Sequence, residues 1–139
     1  MPAIYVTEPK STSPIVTDKP YVAYLPAVIV AAGIAVLSLI EQTPAISAFP
    51  LNDKLMHGLM YAALSAALMG GCIAIRQTGW KVYCLTGCIS AAYGLLMKVL
   101  QYFCTLTRSF ETTDLLADIT GTISVLLIIA LWRRFTTSH

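Results

Sequence analysis

The sequence predicts an all-α membrane protein, a four-transmembrane-helix bundle with both termini cytoplasmic. Three observations carry this. The 139 residues are 57 % hydrophobic and 12 % charged, too apolar for a soluble domain of that length. The length suits about four spans of roughly 20 residues with short connections, since each must cross about 30 Å of hydrocarbon. Lys and Arg gather in alternate connections, which sets the orientation. A second folded domain has no room. The formal net charge is +2 and no basic run carries interleaved aromatics, so nucleic acid is not an expected partner. Cys72, Cys84, Cys88 and Cys104 lack metal-type spacing, which leaves them as small membrane-buried residues; no metal and no cofactor are expected.

Residues 1–20 mix Pro, Ser and Thr with balanced charge and no apolar periodicity, and read as a flexible cytoplasmic tail. The first span, 21–40, carries no charge and exceeds the h-region of a signal peptide, although AISA at 45–48 imitates a cleavage site. Pro26 falls near its first turn, where a missing amide donor costs little. The second span, 54–75, follows Asn52 or Asp53 as a cap. Ala62, Ala66 and Gly70, with Ala63, Ala67 and Gly71 beside them, give it two rows of small residues that admit a neighbouring backbone. The third span covers 82–103. The fourth covers 113–132, capped by Thr112 or Thr113. The transmembrane domain is thus 21–134, with 135–139 a second cytoplasmic tail.

Lys10 and Lys19 precede the first span, Arg76 and Lys81 separate the second and third, and Arg133 and Arg134 follow the fourth. The other two connections offer Lys54 and Arg108. Tyr21, Tyr24, Trp80, Tyr83 and Trp132 fall at the same ends as the larger basic groups, where amphipathic rings favour the headgroup level. Both patterns put the termini in the cytoplasm.

The opposite, outward-facing ends hold the ionisable residues, which are expensive in a membrane and mark function by default. Lys54, His57 and Tyr61 share one face of the second span at i, i+3 and i+7, beside Asp53; Gly94, Lys98 and Gln101 share one face of the third. Asp114 and Asp118 lie one turn apart on the fourth, with Ala117 and Gly121 a small-xxx-small pair on a neighbouring stripe. Counting about 1.5 Å per residue, Tyr61, Lys98 and Asp118 lie roughly 6 to 10 Å inside their helix ends, so they should face one another. One reading makes these residues interhelical glue. Another gives them a ligand. Arg108, at the mouth, suits a phosphate or anionic headgroup, or is a solvated loop residue; His57 is structural or functional on equal terms, without the spacing of a metal site.

Asp53-Lys54, His57 and Tyr61, then Tyr93-Gly94 and Gln101, then Arg108-Ser109, Asp114 and Gly121 resemble the signature of the VanZ-like family of small membrane proteins, over roughly residues 50–125. The resemblance implies a four-span protein of the bacterial cytoplasmic membrane, with a family link to glycopeptide (teicoplanin) tolerance and thus antibiotic resistance. Two positions depart from the pattern. Lys98 stands where the family usually has Glu, and Asp118 where it usually has Asn. Because the changes oppose each other in sign, Lys98 and Asp118 are expected to form a buried ion pair.

The leading functional expectation is an outward polar cleft that binds an anionic lipid or lipid-linked cell-wall intermediate through Lys54, His57, Tyr61, Gln101, Arg108 and Asp114. An alternative is an intramembrane enzyme acting on a phosphate or ester, with His57 and Asp114 or Asp53 as acid and base. It lacks a persuasive nucleophile, since Ser65 lies deep and Ser109 sits in a connection. A third is a structural scaffold for another envelope protein, in which enlarging Ala66 or Gly70 would be damaging. A homo-oligomer is compatible with each.

Overall fold

The structure, a computed structural model, describes residues 19–39, 50–104 and 112–136, the side chains of 50–53 excepted. A 3₁₀ turn, Pro20–Tyr24, leads into α1 (Leu25–Leu39); α2 (Pro50–Ala74), α3 (Trp80–Cys104) and α4 (Thr112–Thr136) follow. Four helical segments, α1 with its leading turn among them, are long and apolar enough to cross a membrane.

Prolines start two of these segments. Pro20 opens the 3₁₀ turn and Pro50 opens α2; the amide each lacks is among those a helix start leaves unbonded anyway. The beginning of α2 at Pro50 corrects the expected cap, since Asn52 and Asp53 lie within the first turn. At the far end α4 continues through Arg133 and Arg134 to Thr136, beyond the expected boundary at 134. Cations in a last turn offset the partial negative charge of its free carbonyls.

The α2–α3 connection is built by hydrogen bonding. The Gln77 amide donates to the Cys72 carbonyl at 2.8 Å and the Arg76 amide to the Ile73 carbonyl at 2.9 Å, the paired bonds of a Schellman ending. Arg76 therefore takes a left-handed φ of 59°, a conformation glycine adopts more cheaply. Gly79, at φ 145°, reverses the chain, and its carbonyl accepts the Val82 amide at 3.0 Å to begin α3.

Successive helices alternate in direction. Tyr24, just before α1, meets Cys72 at the end of α2, Gln101 late in α3 meets Ser38 late in α1, and His57 early in α2 meets Asp118 early in α4. So α2 and α4 run parallel, and theirs is the most extensive interface. A Cβ on Gly121 would collide with the Gly58 carbonyl oxygen and come within 2.7 Å of its carbonyl carbon. The Ala117–Gly121 pair is thus seated on Gly58. In the small-residue rows of α2, Gly71 receives the Tyr24 ring, which a Cβ there would approach to 2.7 Å. Gly70, by contrast, faces open space, which corrects its expected role in packing.

The interior has two halves. Ile34, Tyr61, Leu64 and Met97 form an apolar cluster between α1, α2 and α3, with Ala31, Leu68 and Tyr93 against it. Between α2, α3 and α4 polar side chains predominate among the buried ones: His57, Ser65, Ser90, Lys98, Asp114, Asp118 and Thr122. Cys84, Cys88 and Cys104 are exposed and Cys72 is half-buried, so the cysteines are mostly outside the bundle interior and not within it.

Candidate functional site

The polar side chains meet within about two turns of the end formed by the starts of α2 and α4 and the end of α3. Lys98 Nζ donates to Asp114 Oδ2 at 2.6 Å, with Lys98 4 % and Asp114 7 % exposed. His57 Nδ1 lies 3.4 Å from Asp118 Oδ1, an ion-pair separation rather than a good hydrogen bond. The expected Lys98–Asp118 pair is therefore replaced by two crossed pairs, Lys98 with the outer aspartate and His57 with the inner one. One helical turn shifts a side chain by about 5.4 Å along the axis, and the lysine stem reaches Asp114 while the short histidine meets Asp118.

Asp118 is the most unusual of these groups. It is 2 % exposed, and both its carboxylate oxygens lack a hydrogen-bond partner, as does His57 Nδ1. Gly94 makes the room, since a Cβ there would stand 3.5 Å from Asp118 Oδ2 and 3.4 Å from the Tyr61 ring. Buried polar atoms in this condition call for a ligand, a proton or a water.

Deeper in the bundle three hydroxyls converge. Ser65 Oγ lies 2.8 Å from Ser90 Oγ and 3.1 Å from Thr122 Oγ1, joining α2, α3 and α4. They continue the sequence stripes by one turn, Ser65 after Tyr61, Ser90 before Gly94 and Thr122 after Asp118, a signal legible in the spacing had the stripes been extended.

The remaining expected residues divide. Tyr61 is buried, its ring 6.4 Å from that of Tyr93 at a 50° tilt. Gln101 Nε2 donates to the Ser38 carbonyl at 3.1 Å and the Tyr93 hydroxyl to the Ala31 carbonyl at 2.7 Å; both tie α3 to α1. Lys54, half-buried one turn outside His57, has no ion-pair partner among the described residues. Arg108 and Ser109, and the side chain of Asp53, lie outside the described residues. Among the described residues no group of His, Cys, Asp and Glu is arranged to hold a metal.

The site can present a cation at its rim and a histidine backed by a buried carboxylate one turn inside. No family model, curated protein or solved structure matches the chain.

Proposed function

We propose that this is a VanZ-like protein of the bacterial cytoplasmic membrane whose charged end takes an anionic headgroup, that of a lipid or of a lipid-linked cell-wall intermediate. With the termini cytoplasmic, as the Lys and Arg distribution suggests, this end faces outward. Lys54 is the observation that carries the reading. Lys98 is neutralised by Asp114 at 2.6 Å, whereas Lys54 shares the face of α2 with His57 and has no ion-pair partner among the described residues. The connection bearing Arg108 joins the α3 and α4 ends that flank the site, and a guanidinium suits a phosphate. Binding of a fluorescent phosphatidylglycerol and of a polyprenyl phosphate to protein in phosphatidylcholine nanodiscs tests it. Lys54→Ala and Arg108→Ala should each weaken one of the two by about tenfold, the effect of losing one charge-assisted contact. Unchanged affinity for both lipids in the double variant would exclude the reading.

A second reading rests on His57 and Asp118. A histidine oriented by a buried carboxylate is the arrangement of a general base, here with Asp118 in the part expected of Asp114 or Asp53. With the Ser65 hydroxyl engaged by Ser90 and Thr122, water is the attacking group on a phosphate or ester. Hydrolysis of the bound lipid that disappears in His57→Gln while binding persists would support this reading; no turnover by the wild type sinks it.

A further inference from the structure

A different feature occupies the opposite end of the bundle. Between α1, α2 and α3 a cavity of about 440 Å³ is lined by Ala27, Val28, Leu68, Leu85 and Ile89. It exists because α1 is tied to α3 in the other half, through Tyr93 to the Ala31 carbonyl and Gln101 to the Ser38 carbonyl, while Tyr24, just before α1, leans on Gly71 of α2. Two of the hydroxyls at its walls are committed: that of Tyr24 lies 3.5 Å from Cys72 Sγ, and that of Tyr93 is bonded to the Ala31 carbonyl; Thr86 and Gln77 add the other polar side chains. A lining this predominantly apolar suits hydrocarbon better than water.

We infer that this cavity is a binding groove for one hydrocarbon chain of an anionic phospholipid, its headgroup held by Lys19, Arg76 and Lys81. Length argues for the chain. From Val82 to Tyr93 along α3 the groove covers about 16 Å at about 1.5 Å per residue, half of the roughly 30 Å hydrocarbon core and therefore the depth of a single leaflet. Charge argues for the headgroup. Lys19, Arg76 and Lys81 are exposed at this end, none in an ion pair among the described residues, and the described Asp residues all lie at the other end, near the starts of α2 and α4. An excess of cations with no acid to offset them among the described residues attracts anionic lipid by about fivefold per residue. An unfilled groove would forfeit the contacts of its walls. The site is separate from the Lys54 end and uses none of its residues.

Native mass spectrometry of protein released from nanodiscs of equal phosphatidylglycerol and phosphatidylcholine tests the assignment. In a Lys54→Ala, Arg108→Ala background, which removes the proposed headgroup contacts of the other end, the protein should retain one lipid, predominantly phosphatidylglycerol. Val28→Trp with Ile89→Trp, both outward-facing positions at 62 % and 47 % exposure, fills the groove and should abolish retention. Lys19→Gln, Arg76→Gln and Lys81→Gln together leave the groove intact; lipid should still be retained, with the phosphatidylglycerol preference reduced by on the order of a hundredfold. The inference is overturned if this background retains no lipid, if the tryptophan variant retains it as before, or if the glutamine variant keeps its preference. The glutamine variant alters surface positions alone, so it decides the question even if the tryptophan pair fails to fold.

Discussion

The two halves of the interior are held together in different ways. Where α1 meets α2 and α3, the contact is aliphatic and aromatic, with two side-chain to carbonyl bonds at its edge. Where α2 meets α3 and α4, it consists of a glycine on a backbone, three hydroxyls, the Lys98–Asp114 ion pair and the His57–Asp118 contact. In water the first kind would dominate stability. In a bilayer the separated helices already lie in hydrocarbon, so apolar burial loses most of its force and packing, polar bonds and close approach take over. The expected ranking of substitutions is thus the reverse of that in a soluble protein.

The largest effect is expected at Lys98. Lys98→Met leaves Asp114 buried without its cation and should cost about 3 to 5 kcal/mol, read from SDS-induced unfolding in mixed micelles. Adding Asp114→Leu should recover most of that loss, while adding Asp118→Leu should not. Recovery with Asp118 instead would return the pairing to the one that charge reciprocity alone suggests.

That pairing marks where the sequence stopped being informative. The spans, their order and the convergence of His57, Lys98, Asp114 and Asp118 follow from apolar length and helical spacing. The choice between Asp114 and Asp118 depends on how far α3 and α4 slide past each other, and two acids one turn apart on one face leave that slide free. The small-residue rows of α2 pose the same problem in rotation. Gly70 and Gly71 look equivalent as sequence, yet Gly71 takes the Tyr24 ring while Gly70 looks outward. Gly58, the residue on which Ala117–Gly121 sits, had a signal of its own four residues before Ala62.

Next in size is Gly121→Ala. The added methyl meets the Gly58 carbonyl and cannot be relieved by a rotamer change, so α2 and α4 must separate, at about 1 to 3 kcal/mol. Gly70→Ala, its control, should be near neutral in the same assay. A comparable loss at Gly70 would mean that its outward face is covered by another chain.

Smaller again is Ser65→Ala. It removes two hydroxyl contacts, each worth about 0.6 kcal/mol in membrane bundles, so a loss of about 1 kcal/mol is expected. Thermal denaturation of the detergent-solubilised protein can resolve it if Ser90→Ala, which removes one of the two contacts, costs about half as much.

The smallest effect is expected in the apolar half, at Ile34→Val. Ile34 is 2 % exposed and loses one methyl group, which in a soluble core costs about 0.5 to 1.5 kcal/mol through lost transfer energy and the cavity left behind. Here the transfer part nearly vanishes, because Ile34 stays in hydrocarbon when α1 detaches. What remains is the dispersion lost where the methyl touched its neighbours, about 0.5 kcal/mol or less. Ser65→Ala removes one oxygen and Ile34→Val one carbon, so the two deletions are nearly matched in size. If Ile34→Val proves the costlier, apolar packing holds this bundle together more than its polar seam does, and the contrast between the two halves fails.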